Sequence, residues 1–436
     1  MNNDSTNSLS HAEIENDLIK NIHWSTKSKI WMALLFAVFA VCLYFYGTQL
    51  IYGLGVTGLH DYASWGIYIS NFVFFVAVSL VGMLISSILG LADVKWIKPI
   101  SRIAEIIAVS FAMVAGLVII TDMGRPDRLL NVFIHGRVQS PIVWDIAVVS
   151  TYVFVSLLLL YVPLIPDFAV MSKKLTGLPR LQVKIYKLLS LGWADKPEQF
   201  KIIKKLIKIL LIIIIPVAVA IHTVTSWLFA LTLRPGWDSS IFGPYFVAGA
   251  FVAGSAALVI LLYFYRKHYG LEKYITDEHF NQMGKVLVLV SLVYIYFNLN
   301  EVLVPGFKPG TAAGAHINEL LVGHEATLYW TVQIFGLAIP FILLLIPMFR
   351  KPIPITAISF LIFIGAWFKR YLIVIPSQLE PYLPIQNVPE KFHHYSPTTA
   401  EIAITIGSFI LVLIIMTFLS KVIPLIPIWE MKEELK

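Results

Sequence analysis

The sequence has a single cysteine and few recognisable motifs for binding cofactors or metals. Its single cysteine, Cys42, lies within an apolar run of the 436 residues. One cysteine excludes an intrachain disulfide, a cysteine-ligated iron–sulfur cluster and a covalently attached haem. The sequence also contains no P-loop and no HExxH motif. Chemistry that depends on these groups is therefore not expected within this chain.

Charged residues are scarce as well. They make up 14% of the chain, whereas hydrophobic residues make up 58%. Soluble domains have roughly 25% charged and about 45–50% apolar residues. This composition predicts an all-α membrane protein with many spans. The net charge of +7 does not indicate nucleic-acid binding, because the basic residues lie between apolar runs.

Ten apolar runs have the length of about 20 residues that a membrane-spanning helix needs. They lie near 30–52, 65–90, 100–121, 142–165, 205–232, 242–265, 284–305, 326–348, 354–374 and 402–424. The Lys and Arg residues of the connections set the orientation. With a cytoplasmic N-terminus, 25 of the 33 basic residues fall on the inner side. We therefore predict that both termini are cytoplasmic and that the protein is a multi-pass membrane protein.

The most informative stretch is GRPDRLLNVFIHGRVQSPIVWDIAVVS, residues 124–150. Ser140 and Pro141 predict a helix start, with the serine hydroxyl as cap and the proline at the first helical position. Asp145 follows within a run that otherwise reads as membrane-spanning. A carboxylate at that depth is costly unless it is paired, hydrated or used. Asp145 is therefore a candidate functional residue.

The predicted orientation places most polar residues of the spans in the outer half. Asp145 lies about one turn below the outer surface, and His222 lies roughly 15 Å below the outer end of the fifth run. A histidine and a carboxylate together suit the uptake of the two protons of an oxidised hydroquinone. We therefore expect Asp145 and His222 to bind a quinol and to accept its protons, with Trp65 and Trp144 against its ring.

Each of the remaining ionisable residues has a possible structural role and a possible functional role. Asp122, Glu301 and Glu325 lie at helix ends, where a solvated charge is ordinary. Lys369 and Arg370 either extend to the outer headgroups or serve the site. If they are functional, the residues of a proton path or of the rim of the site are Asp122, Glu105, Glu301 and Arg370. Glu105 lies three residues after Arg102, and this pair could simply neutralise itself.

No haem is expected in this chain. A haem in a helical bundle normally needs two histidines from facing helices, and only His222 of the 11 histidines lies well inside a predicted span. We therefore expect neither a haem nor an iron–sulfur cluster here, and electrons would have to pass to a partner.

Four segments resemble a known family. They are WGIYISNFVFFVAVSLVGMLISSIL (65–89), SPIVWDIAVVSTYVFVSLLLLYVPLIPD (140–167), HTVTSWLFALTLRPGWDSSIFGPYFVAGA (222–250) and the end of the ninth run with Arg370. In this order they resemble the polysulfide-reductase membrane subunits (NrfD/PsrC-like), which include the quinol-site subunits of alternative complex III. The chain differs from the latter at Leu80, Leu228 and Lys369.

The resemblance implies a multi-pass protein of a prokaryotic inner membrane, with two four-helix bundles, flanking helices and no cofactor in the chain. Menaquinone or ubiquinone would bind in the first bundle, where Asp145 and His222 match residues that line the quinol pocket, with Asn71 as a further candidate. An iron–sulfur electron-transfer subunit would dock, followed by a molybdopterin-type catalytic subunit or a multihaem cytochrome. The implied division is 1–29 N-terminal segment, 30–64 first flanking helix, 65–232 first bundle, 233–374 second bundle and 375–436 last helix with tail.

Three functions remain open from the sequence. The first is a quinol or quinone oxidoreductase subunit with possible proton translocation. The second is a secondary transporter, which would have Gly- or Pro-broken helices at matching positions of two halves. The third is a passive anchor whose quinone site belongs to another subunit.

Overall fold

The computed structural model describes residues 11–175, 179–307, 310–380 and 389–433. Within these ranges the regular structure is entirely helical. Ten helices are long and apolar enough to span a membrane, which confirms the predicted number. They are α1 Thr26–Tyr52, α2 Ile67–Leu91, α3 Lys98–Asp122, α4 Pro141–Tyr161, α5 Pro197–Ala230, α6 Phe242–Tyr269, α7 Asp277–Gly306, α8 Ala326–Leu345, α9 Pro352–Val374 and α10 Thr399–Val422.

Short helices connect and flank these spans. The longer ones are His11–Ile19, Leu164–Lys174, Arg180–Leu189, Ala312–Leu321 and Ile428–Glu433. The fourth span is predicted to run from 142 to 165, but α4 ends at Tyr161 and Leu164 begins a separate helix. Helix α5 begins at Pro197, eight residues before the predicted start. Its first turns are polar and are helical too, so the helix is longer than its apolar run.

Proline and glycine explain several helix ends. Pro141, Pro197 and Pro352 each occupy the first helical position, where the missing N–H costs no hydrogen bond. Gly270 ends α6 in the left-handed region at φ 63°. The predicted start of α4 is confirmed, but the predicted cap is wrong, since the Ser140 side chain makes no capping hydrogen bond.

Eight of the helices form two four-helix bundles. In the first bundle α2 packs on α3, α3 on α4, α4 on α5, and α5 closes the ring against α2. In the second bundle α6, α7, α8 and α9 close a ring in the same way. Helices α2 and α6 pack against each other and are the most deeply buried spans. The two bundles with flanking helices agree with the predicted fold class.

The flanking helices α1 and α10 form a pair. They pack along each other, and α10 also contacts α3. At their crossing a β-carbon on Gly407 would lie 2.7 Å from the Cβ of Cys42, so glycine is needed for this approach. Much of the outer surface of α1 is exposed and apolar, as expected for a lipid-facing helix. Cys42 itself is a buried free cysteine.

The turn after α1, GLGVTG at 53–58, has the glycine spacing of a dinucleotide-binding motif. That motif requires a preceding strand and a following helix in a βαβ unit. Here it follows a membrane helix, and the Gly58 N–H donates to the Glu401 carboxylate at 2.7 Å. These glycines therefore shape a turn that is fixed to α10.

Both ends of the described chain lie at one end of the bundles. The helix His11–Ile19 packs on Ile428–Glu433, and Glu15 forms ion pairs with Lys174 and Lys432. This shared end is called the terminal end below, and the opposite end is called the loop end. Placement of the terminal end in the cytoplasm remains a prediction.

A buried charge cluster attaches the last helix to the first bundle. Arg102 donates to the Asp167 carboxylate at 3.1 Å, while its Nε lies 3.8 Å from Glu105. Asp167 also accepts from the backbone N–H of Trp429 at 3.3 Å. The expectation that Arg102 and Glu105 merely neutralise each other is therefore incomplete, since the closer partner is Asp167. Burial raises the pKa of Asp167 to about 6 and that of Glu430 to about 7.

Candidate functional site

Asp145 lies inside the first bundle, where α4 meets α5. Its side chain is buried, and one carboxylate oxygen accepts a hydrogen bond of 2.6 Å from the Thr225 hydroxyl. Thr225 lies on α5, so the interaction crosses between two helices. A carboxylate held by one neutral hydroxyl keeps further lone pairs for a ligand or water.

His222 lies one turn before Thr225 on the same buried face of α5. This stripe consists of His222, Thr225, Ser226 and Phe229, which recur at the spacing of one helix face. The imidazole is 2% exposed, and neither ring nitrogen has a side-chain hydrogen-bond partner among the described residues. Thr225 thus brings the predicted pair, Asp145 and His222, to the same part of the bundle.

Trp65 lies at the loop end of this stripe. Its ring stacks on Trp237 with centroids 5.6 Å apart and meets Phe229 edge-on at 5.3 Å. Gln378 fixes its backbone by accepting from the Trp65 N–H at 2.9 Å and donating to the Trp65 carbonyl at 2.6 Å. The indole is therefore a fixed aromatic wall beside the α5 stripe.

Two other candidates are engaged elsewhere. The Trp144 indole N–H donates to the carbonyl of Val138 in the preceding loop. The Asn71 amide donates to Thr405 at 2.8 Å, and its oxygen accepts from Trp367 at 2.8 Å. Asn71 thereby connects α2 to α9 and α10, and these contacts occupy both polar groups of its side chain.

Asp122 and Glu105 lie at opposite ends of α3. Asp122 is the last residue of that helix, at the loop end, within electrostatic range of Glu401. Glu105 belongs to the Arg102 cluster at the terminal end. The structure does not bring either of them together with Asp145 through a hydrogen bond or an ion pair of the described residues.

The second bundle holds a polar cluster of its own. Glu301 and Lys369 form an ion pair of 2.6 Å, and Tyr245 donates to the same carboxylate at 3.0 Å. The same Tyr245 hydroxyl lies 3.2 Å from the Asn298 Oδ1 atom, which accepts a hydrogen bond from Gln333 at 3.1 Å. All four helices of the bundle contribute to this cluster. Gln333 lies in a π-helical turn of α8, Val332–Ala338, and such turns often occur at functional positions.

Lys369 does not extend to the headgroups. Both it and Arg370 are buried on α9, with 3% and 2% of their surfaces exposed. The structure thus excludes the surface alternative for this pair. The charge of Lys369 is balanced by Glu301, which lies 68 residues earlier in the sequence.

A cavity of about 350 Å³ lies at the loop end of the second bundle. Its lining includes Trp237, Asp238, Glu301, His316 and Ser377. Burial lowers the pKa of His316 to about 4, so this imidazole is neutral at physiological pH. Its Nδ1 has no hydrogen-bond partner in the described ranges. Trp237 separates this cavity from Trp65.

Sequence reasoning missed Thr225, Tyr245, His316 and Gln333. Thr225 could have been found from its spacing to His222, because residues three apart share a helix face. The other three carry no comparable local signal, since their partners come from other helices.

Comparison with known proteins identifies the family. The model for the polysulphide reductase family NrfD matches residues 55–381, which is most of the chain. The chain belongs to the NrfD polysulphide reductase family. The match extends from the turn after α1 to the residues just beyond α9, and it includes Asp145, His222 and Arg370.

The relatives of this NrfD-family chain are subunits of reductase complexes. One subunit of the selenate reductase of Mesobacillus selenatarsenatis is 26% identical over 88% of this chain and 90% of its own length. A putative dimethyl sulfoxide reductase membrane subunit of Halobacterium salinarum is 26% identical over 88% of each chain. The Hdr-like menaquinol oxidoreductase integral membrane subunit of Archaeoglobus fulgidus is 24% identical over 91% of this chain and 94% of its own. The protein is a multi-pass membrane protein of this family.

Proposed function

We propose that this chain is the membrane subunit of a respiratory quinol/quinone oxidoreductase complex. A menaquinone or ubiquinone head group binds at Asp145 and His222, and the two side chains exchange protons with its ring oxygens. The observation that carries the proposal is a buried carboxylate and a buried imidazole on two neighbouring membrane helices. Thr225, which donates to the carboxylate, lies one turn after the imidazole on α5. The menaquinol named for one relative supports the substrate class.

The chemistry requires an electron partner. Oxidation of a quinol releases two protons and two electrons, and the protons can pass to Asp145 and His222. The electrons leave to a docked iron–sulfur subunit, which relays them to a molybdopterin-type catalytic subunit or a multihaem cytochrome. The reductase names of the relatives support such an assembly.

The loop before α4 is the part of the surface that we assign to partner docking. Arg128 and Arg137 are exposed there, and they oppose the charge bias expected for outer loops. We place proton release on this same loop end, because the Asp145 side chain lies about one helical turn inside it.

The transporter alternative has less support. It requires broken helices at matching positions of the two halves. Helix α5 instead continues through Pro216 from Pro197 to Ala230. In the described part of the second bundle, α8 has a π-helical turn followed by Pro340, but it continues as helix on both sides of that turn.

Replacing His222 with glutamine tests the proposal. Glutamine keeps a polar side chain of similar length but cannot take up a proton near neutral pH. We expect quinol-linked electron transfer in the purified complex to fall roughly 100-fold. The matched control is His268→Gln, at an exposed position near the terminal end of α6, with near wild-type turnover expected. Wild-type turnover in His222→Gln would overturn the assignment.

A further inference from the structure

Arg370 is a buried arginine, and small and aromatic residues of the second bundle leave space for its side chain. It lies on α9 and faces α6 at Gly249, where a β-carbon would lie 2.6 Å from its Nη2 atom. The same β-carbon would lie 2.8 Å from the Tyr294 ring. The guanidinium also lies over the Phe246 ring, 5.1 Å from its centroid. Glycine at 249 and the aromatic face together fix the position of the cation.

The hydrogen bonds of Arg370 are incomplete. Its Nε and Nη1 atoms are buried and have no acceptor in the part of the chain that the structure describes. A guanidinium stays charged in proteins, and burial of such a charge without acceptors is expensive. The neighbouring Lys369 shows the contrasting case, since its charge is balanced by Glu301. An acceptor supplied by a bound molecule would complete the coordination of Arg370.

The buried donors of Arg370 lie within electrostatic range of His222. Neither ring nitrogen of His222 has a side-chain hydrogen-bond partner among the described residues, although the backbone of Ala218 lies within range of the ring, and the two side chains are within electrostatic range of each other. Phe246 provides the physical connection, because its ring contacts both Arg370 and Phe229 of the α5 stripe, the latter at 5.8 Å. Two buried polar side chains without side-chain hydrogen-bond partners for these nitrogens, one from each bundle, therefore lie in the same region.

We propose that Arg370 is a direct ligand of the quinone head group, which binds across the interface of the two bundles rather than within the first bundle alone. This inference rests on the proposed function. The guanidinium donates to the ring oxygen that becomes negative when the hydroquinone gives its first proton to a base of the site. Charge-assisted hydrogen bonds of this kind are roughly twice as strong as neutral ones. The second proton and the two electrons then leave, the electrons to the docked iron–sulfur partner.

The test compares Arg370→Gln, Arg370→Lys and Gly249→Ala in the intact complex. For Arg370→Gln we expect the KM for quinol to rise about tenfold. We also expect the pH profile of kcat to move up by about one unit, because the anionic oxygen of the bound quinol loses its cation. Arg370→Lys keeps the charge without the planar fork and should raise KM without that pH shift. Gly249→Ala should raise KM because it displaces the guanidinium. Arg180→Gln, at an exposed arginine, is the control.

The outcomes separate the inference from the proposed function. An unchanged KM and pH profile in Arg370→Gln, with turnover lost in His222→Gln, would overturn the role of Arg370 and leave the site in the first bundle. Wild-type behaviour of both variants would overturn the proposed function itself. If Arg370→Gln does not assemble, the assembled Arg370→Lys and Gly249→Ala variants decide, and an unchanged KM in both contradicts the inference.

Discussion

Asparagine at position 145 should abolish quinone-linked turnover while the complex still assembles. The amide oxygen can still accept the hydrogen bond from Thr225, so the α4–α5 contact is preserved. An amide cannot take up the quinol proton, however, and loss of a positioned general base costs about 100-fold or more. The measurement is steady-state electron transfer from a quinol by purified complex, with the presence of every subunit checked on the same preparation.

Two further variants make the Asp145 experiment specific. Asp93→Asn is the matched control, since Asp93 is exposed in a left-handed turn that asparagine also tolerates. Thr225→Val removes the hydroxyl but keeps the carboxylate, and an intermediate loss of about tenfold is expected because the carboxylate is less well positioned. Turnover of Asp145→Asn within about twofold of wild type would contradict a proton-accepting role.

Methionine at position 369 should destabilise the second bundle strongly. Methionine has nearly the length of lysine but no charge, so Glu301 would lose its ionic partner in a partly buried position. Removal of one partner from a buried ion pair typically costs about 3–5 kcal/mol. We expect a lower thermal unfolding midpoint of the detergent-solubilised protein and less of the chain in the assembled complex.

The double variant identifies the cause of that loss. Glu301→Gln added to Lys369→Met removes the unpaired carboxylate, and most of the lost stability should return. Lys285→Met, at an exposed lysine of α7, should stay within about 0.5 kcal/mol of wild type. Equal destabilisation of the single and double variants would show that Lys369 acts by packing and not by pairing with Glu301.

The sequence predicts spans better than it predicts contacts between them. Each span is encoded locally by a run of apolar residues, so all ten could be found without any knowledge of packing. The ion pair of Lys369 joins two helices that are far apart in sequence, and no local pattern indicates it. The same is true of Arg102, whose closer partner Asp167 lies on a helix after the next span.

Burial cost explains which candidate site residues can be anticipated from the sequence. Asp145 and His222 stand out because an ionisable residue within an apolar run is rare and expensive. Asn71 and Trp144 carry no such signal, and their polar groups bond to other helices or to the adjacent loop. From the sequence, Arg370 is a candidate for a proton path or for the rim of the site, and nothing local indicates that it is buried. The buried position of its guanidinium depends on Gly249, more than 100 residues away in the sequence, because a side chain at 249 would occupy the same space.

Photoaffinity labelling of the intact complex tests the location of the quinone site most directly. A quinone analogue with a photoreactive ring substituent is irradiated in the complex, and labelled peptides are identified by mass spectrometry. We expect labels on α4 around Asp145 and on α5 around His222, removed by excess unmodified quinone. Labels confined to another subunit, or to the cavity around His316 in the second bundle, would contradict a quinone site at Asp145 and His222.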